Sequence, residues 1–337
     1  MTTIHDVARV AGVSISTVSY ALSGKRSITE STRRRVEAAV RELDYRPNAG
    51  ARMLAGRRTY IFAVTEPLRA DTYEPAHMAF VLATATAART YDYDVLLLTQ
   101  DEATGGLSRV TSSRLVDGII VLDVLREDER ADLVRSLDIP SVLIGVPDDT
   151  AGLVCVDLDF EAVGRMALDR LADAGHRTVT LLGQPQAVYD RGSNFPPRLR
   201  DAFLARAAER GIDAAFHAVE REPSDMRARL ATLLDADTPP TGVVFHCEEQ
   251  QQTTALELLA ERGVAVPGEM SIVSAAPTFP TSGFRPPLDR IPLVPAYTCG
   301  RAVELAINQI AGSVEPRVEL VPPTYEDHGS VAPLPAA

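Results

Sequence analysis

Two groups of side chains have types and spacing that could do chemistry. The first is Ser14, Ile15, Ser16, Thr17, Ser19 and Tyr20, small or polar residues crowded into seven positions and able to contact a surface. The second is strung along later loops that follow apolar runs. Tyr73 closes the stretch 65–73, and Tyr189, Asn194 and Phe195 fall in the stretch after residue 182. Aromatic rings of this kind can stack on the apolar face of a sugar ring, or can simply fill a core. Groups fit for covalent catalysis are missing. There is no Gly-x-Ser-x-Gly and no glycine-rich phosphate loop. His246 and Cys247 are neighbours on an expected strand, where they would point to opposite faces. Cys155, Cys247 and Cys299 lie far apart without metal-ligand spacing. No enzymatic activity, metal or cofactor is expected.

The elements that must position the first group are short helices. Ile4, Val7, Ala8 and Ala11 recur at helical spacing. Gly12 follows, as a helix-ending residue in the left-handed region should, and Ser14 stands where it can cap a new helix. The second helix buries Val18, Ala21 and Leu22 and leaves the small and polar residues on its other face. This is the pattern of a helix-turn-helix whose second helix lies in the DNA major groove. A helical hairpin that only packs is the alternative. A third helix begins at the N-cap Thr29, with Val36, Ala39, Val40 and Leu43 as its apolar stripe and Arg33, Arg34, Arg35 and Arg41 left for solvent or phosphates. Asn48 can cap a fourth segment running from Ala49 to Ala55 and holding Ala51, Met53 and Leu54. It is too short to persist alone. It reads either as a helix formed on DNA, with Leu54 as a minor-groove wedge, or as a plain linker.

Charge divides along the same line. The chain of 337 residues carries −12 overall. Residues 1–58 hold eleven Lys/Arg against five Asp/Glu, a net of +6, which leaves −18 for the remainder. A basic headpiece on an acidic body is steered toward phosphates while the body is repelled. No apolar run reaches the roughly 18 residues a membrane span needs, and no membrane partner is expected. The N-terminus lacks a signal-peptide pattern, and a reduced cytoplasm is the expected home.

From Tyr60 the texture changes to alternating short strands and helices. Strands are expected at 61–64, 94–98, 118–122, 141–145 and 154–157, then at 178–182, 242–245 and 271–273. Helices are expected at 75–90, at 160–174 capped by Asp159, at 197–210 and at 250–262. Such alternation argues for parallel sheets covered on both faces. Two runs of the same type imply two α/β subdomains, with ligands in the cleft outside the carboxyl ends of their strands.

Many quoted runs then match one family in order. They include Ile4-His5-Asp6-Val7-Ala8, Ala11-Gly12-Val13-Ser14, Thr17-Val18-Ser19, Leu22-Ser23-Gly24, Leu43-Asp44-Tyr45-Arg46-Pro47-Asn48, Ala51-Arg52 and Leu54, with Gly175-His176-Arg177 and Val266-Pro267-Gly268-Glu269 farther on. The chain resembles the LacI/GalR family of bacterial transcriptional regulators over essentially its whole length. The resemblance implies a three-helix helix-turn-helix headpiece with a hinge helix, then two Rossmann-like α/β subdomains of periplasmic-binding-protein type. The implied divisions are residues 1–47, the hinge or linker 48–58, and an effector-binding and dimerisation domain 59–337. That domain divides into an N-subdomain of about 59–159 with 291–320 and a C-subdomain of about 160–290 with 321–337.

By resemblance, Ile15, Ser16 and Tyr20 read bases and Leu54 is the wedge. Ser14, Thr17, Ser19, Thr29 and Thr32 contact phosphates, and Asn48 and Ala51 belong to the hinge on DNA. Arg198 contacts the effector, where its fork can grip two hydroxyls or a carboxylate. Glu248 faces the cleft and accepts hydroxyl hydrogen bonds, and Glu249 caps the next helix. Ser274-Ala275-Ala276-Pro277 replaces the family's usual Gly-Phe-Asp, so an acidic effector ligand is missing and a larger neutral ligand such as an oligosaccharide fits better. The reading is a ligand-responsive regulator, expected to be a repressor. It would bind a pseudo-palindromic double-stranded DNA operator as a homodimer, with a small-molecule, carbohydrate effector. The alternatives are a sugar-sensing protein with weak DNA binding, or a regulator controlled by a protein partner.

Overall fold

The computed structural model describes residues 2–23, 28–45, 58–69, 72–312 and 314–334. The loop Gly24-Lys25-Arg26, the side chain of Leu22 and the expected hinge with Asn48, Ala51 and Leu54 lie outside the described residues.

The headpiece is built from three helices, α1 (Ile4–Ala11), α2 (Ile15–Ser23) and α3 (Glu30–Glu42). Each boundary has a local cause. The Asp6 carboxylate accepts from the Thr3 N–H at 3.0 Å, so the first turn of α1 is closed from within. Gly12 ends α1 in the left-handed region, φ 62°. Ser14 Oγ accepts from the Thr17 N–H at 3.1 Å, and Thr29 Oγ1 from the Thr32 N–H at 3.3 Å. The three apolar stripes then close on one another. Val7, Ala8, Ala11, Val18, Val36, Ala39 and Tyr45 are all buried, with Ala21, Val40 and Leu43 packed against them.

The body contains two parallel sheets among the described residues. The first comprises β1 (Ile61–Glu66), β2 (Asp94–Thr99), β3 (Gly118–Val121), β4 (Ser141–Ile144), β5 (Val154–Leu158) and, far later, β11 (Arg317–Val321). Its order is β11-β5-β4-β3-β1-β2. The second comprises β6 (Thr178–Gly183), β7 (Asp213–Ala218), β8 (Gly242–Phe245), β9 (Ser271–Ala275) and β10 (Asp289–Ile291), in the order β10-β9-β8-β6-β7. The central strands β3, β4, β5, β8 and β9 are buried throughout, which is why apolar residues dominate them. Helices α4 (Glu74–Arg89), α5 (Gly105–Ser112) and α6 (Glu129–Ser136) connect the first sheet. Helices α7 (Phe160–Asp173), α8 (Gln186–Asp190), α9 (Phe195–Arg210), α10 (Pro223–Leu234) and α11 (Glu249–Arg262) serve the second. The chain leaves the first sheet after Leu158. It returns through α12 (Pro295–Ile310), which packs on α4, and leaves again after Val321.

Packing of α7 against α9 depends on Gly164. A Cβ there would sit 2.3 Å from the Leu199 carbonyl oxygen, so any side chain forces the two helices apart. The Asp159 cap of α7 is present, its carboxylate accepting from the Ala162 N–H at 2.9 Å. The expected cap at Glu249 is not. Glu248 occupies the N-cap position and Glu249 is the first helical residue; the Glu248 carboxylate makes no cap hydrogen bond and accepts from Arg221 instead.

Candidate functional site

In the body, the strands of both sheets deliver polar residues to one cavity at their carboxyl ends. Glu66 closes β1, Asp123 follows β3, Asp157 lies in β5, Gln184 follows β6, and His246, Cys247 and Glu248 follow β8. Helix starts add Tyr73 and His77 of α4, Phe160 of α7, and Asn194 and Phe195 of α9. Phe80, Ile144, Val188, Phe279 and Leu293 complete an apolar wall. The result is a largely apolar cavity with a few convergent polar groups, the usual form of a small-molecule site.

Nearly every acid in the cavity has its own cation. Asp157 accepts from Arg198 Nη1 at 2.6 Å. Burial pushes its carboxyl up to about 6 even against the guanidinium. Glu248 accepts from Arg221 Nε at 2.7 Å; burial raises its carboxyl and the arginine opposes that. Asp123 is held by Arg69, with Arg191 at 3.7 Å. Glu66, 1% exposed, meets His77 Nδ1 at 3.1 Å. With charges neutralised in pairs, the cavity suits a neutral ligand rich in hydroxyls better than an ion.

His77 is tuned by this crowding. Burial works against its imidazolium, but the Glu66 hydrogen bond and the fields of Glu66 and Asp123 outweigh burial and the opposing Arg191, so its pKa is raised. A raised folded-state value means the native chain binds more protons than the unfolded one, so this stabilisation is full below the ordinary histidine range and fades as pH rises through the raised value. The stability gap between wild type and His77→Gln is expected to narrow from pH 6 to pH 8 in urea melts. A gap independent of pH would remove the Glu66–His77 pair as a source of stability.

Glu66, His77 and Asp123 present ligand atoms within 4.8 Å of one another, the spacing of a metal site. The chemistry argues otherwise. Arg69 and Arg191 already engage the Asp123 carboxylate, and a cation there would meet two guanidinium groups.

The cavity gathers four of the six expected effector residues, Tyr73, Asn194, Phe195 and Glu248. The other two, Tyr189 and Arg198, are not among its lining residues. Tyr189 lies outside the lining, its ring packed on Phe216 at 5.3 Å and covered by the Arg200 guanidinium. The Arg198 guanidinium donates to Asp157, Asn194 and the Leu158 carbonyl. Asn194 lines the cavity, but its amide is engaged. Nδ2 donates to the Val124 carbonyl, and Oδ1 accepts from Arg198 at 3.3 Å. A Cβ on Gly145 would meet Val124 Cβ at 2.7 Å and Asn194 Nδ2 at 3.0 Å, so only glycine leaves room for this junction. His246 and Cys247 do not sit on the strand with opposite orientations. β8 ends at Phe245, and both line the cavity from the loop beyond. Burial raises the Cys247 thiol far above its ordinary value, so it is no nucleophile. Sequence reasoning missed Glu66, His77, Asp123, Asp157, Gln184, Arg221 and His246. For Glu66, Asp123, Asp157, Gln184 and His246 the available signal was the polar residue at the end of, or just after, a strand; His77 and Arg221 carried no such signal.

In the headpiece, Ser14, Ile15 and Ser16 are exposed at the start of α2, and Thr17, Ser19 and Tyr20 are partly so. Thr29 is exposed and Thr32 half-buried at the start of α3. The side chains of Arg33, Arg34, Arg35 and Arg41 are exposed along α3. This unit is apolar inside, with hydroxyls at two helix starts and guanidinium groups around them, as phosphate-contacting helices are.

Two family descriptions match the chain. "Bacterial regulatory proteins, lacI family" covers residues 3–48, and "Periplasmic binding protein-like domain" covers residues 168–331. Among curated relatives, the HTH-type transcriptional regulator CelR of Thermobifida fusca is 28% identical over 96% of both chains. Catabolite control protein A of Staphylococcus xylosus is 26% identical over 88% of this chain and 89% of its own. Among solved structures, the Lac repressor dimer bound to operator and the anti-inducer ONPF aligns with a TM-score of 0.79 at 22% identity, covering 98% of this chain and 99% of that one. The CelR–cellobiose complex aligns with a TM-score of 0.65 at 22% identity, covering 98% and 100%.

Proposed function

The chain belongs to the LacI family of bacterial regulatory proteins, and from that we propose a ligand-responsive transcriptional repressor that binds a pseudo-palindromic operator as a homodimer. The divisions are a headpiece to residue 47, a hinge at 48–58 and an effector-binding body from 59. Base contacts fall to Ile15, Ser16 and Tyr20, and phosphate contacts to Ser14, Thr17, Ser19, Thr29 and Thr32. Leu54 wedges into the minor groove beside Asn48 and Ala51. No catalytic role is proposed for the cavity; the relative CelR is named as a transcriptional regulator.

The effector is a neutral carbohydrate. The observation that carries this is the pairing of Asp123, Asp157, Glu248 and Glu66 with internal cations, beside the rings of Phe160 and Phe195 at 5.2 Å. A charged ligand finds no free counter-charge there. A polyol can share both members of each pair and stack on the rings. The relative's complex with cellobiose supports the choice of probe. Sugar binding favours one angle between the two halves of the body, and so shifts the population of chains whose headpieces fit the operator.

The test is operator selection from random duplex DNA, followed by fluorescence anisotropy with and without cellobiose and other neutral sugars. A palindromic site with a logarithmic salt slope of about −5 or steeper is expected, from six or more neutralised phosphates, with affinity altered by at least one sugar. A shallow slope would favour a sugar-sensing protein whose headpiece does not work. A steep slope untouched by any sugar would turn control over to a protein partner.

A further inference from the structure

Every cavity-lining polar side chain but one either has a partner or keeps some contact with open space. The exception is His246. It is 2% exposed, and its Nδ1 is buried without a hydrogen-bond partner among the described residues. Its ring stands edge-on to Phe195 at 5.8 Å and tilted to Phe160 at 6.3 Å. Its main chain is fully used. The N–H donates to the Leu182 carbonyl at 2.8 Å, and the carbonyl accepts from Gln184 Nε2 at 3.0 Å. The ring is therefore fixed beside two aromatic rings in the lining of the cavity. A buried polar atom left unpaired is destabilising, and of the buried side-chain atoms without a partner among the described residues only that of His246 belongs to a residue lining this cavity.

We infer that His246 is a specificity-determining residue, whose imidazole pairs with one hydroxyl of the effector while Phe160 and Phe195 take the apolar face of the same ring. This inference rests on the carbohydrate reading above and deepens it. A hydroxyl fits because it can donate to or accept from a ring nitrogen and carries no charge. The imidazole is suited to that role. Burial alone lowers its pKa to about 4, so it stays neutral wherever the protein is folded and active. A site built around an unpaired buried group discriminates strongly against a ligand lacking the matching group, because the group then stays unpaired.

The experiment is calorimetric titration of the full chain with cellobiose, the other neutral sugars and their monodeoxy analogues. It uses wild type, His246→Phe and His246→Asn. For the sugar that binds wild type, His246→Phe is expected to weaken binding by 10-fold or more. His246→Asn, which keeps a polar group near the Nδ1 position, recovers most of that loss. One monodeoxy analogue binds wild type and His246→Phe equally, and it identifies the paired hydroxyl. A merely structural histidine would not move that last comparison. Equal affinity of wild type and His246→Phe for the parent sugar overturns the assignment while leaving the carbohydrate reading intact. If no sugar binds wild type, the carbohydrate reading falls and this inference falls with it.

Discussion

Replacing Arg198 by methionine is expected to lower stability at pH 7.5 by ~3–5 kcal/mol, the range found when one partner of a buried ion pair is removed. Both side chains are largely out of water, 17% exposed for Arg198 and 9% for Asp157, so solvent cannot take over the missing charge. The Asp157 carboxyl is already pushed up to about 6 by burial with the arginine present. Without the arginine it rises further and takes up a proton on folding. The sign follows from linkage. A group with a raised folded-state pKa binds more protons in the native state, so stability falls as pH climbs through the interval between its unfolded and folded values. The Arg198→Met loss should therefore shrink on acidification from pH 7.5 to pH 5. The double variant Asp157→Asn with Arg198→Met should recover most of it at all pH values. Urea denaturation across that range, with single and double variants, decides the matter. A loss that does not change with pH would mean that Arg198 stabilises only by packing over Phe160.

Replacing Arg130 by methionine should be as damaging, again ~3–5 kcal/mol, and should disable sugar binding without touching a cavity side chain. Arg130 is 2% exposed, and its guanidinium makes five hydrogen bonds. Two go to Asp128, whose carboxyl the arginine holds below the ordinary range despite burial. The others reach Thr65 Oγ1 at 3.0 Å, the Leu122 carbonyl at 2.9 Å and the Asp123 carbonyl at 2.8 Å. One side chain thus ties the ends of β1 and β3 together where they present Glu66 and Asp123. Its removal takes the counter-charge from a buried carboxylate that keeps only the Leu125 and residue-130 N–H groups, takes this donor from two carbonyls, and frees the Asp123 loop. Thermal melts and sugar titration check this together. A stable Arg130→Met protein that binds sugar as wild type does would show the loop to be held by the Asp123–Arg69 pair instead.

The headpiece was legible because its rules are local. Helix spacing, the Gly12 stop and the Ser14 and Thr29 caps act within four residues of themselves, and each appears as expected. The buried strands were legible because burial on both faces leaves a mostly apolar run. Strands β7, β10 and β11 were not; β10, Asp-Arg-Ile, is three residues long with two charged ones and has no apolar run to show. Strands β7 and β11 are sheet edges, exposed or half-exposed along their length, so no apolar run marks them.

The sequence by itself determined which half of the chain is basic, where the three small helices begin and end, and that the rest alternates strand with helix. Only the tertiary structure decided which polar groups meet. Arg198 and Asp157 are 41 positions apart, and Arg130 and Thr65 are 65 apart. An arginine's partner is chosen by the three-dimensional closure of the sheets, not by spacing along the chain. The same closure turned Tyr189 toward Phe216, gave the Arg198 fork to Asp157, and left His246 as the cavity's buried nitrogen without a partner among the described residues.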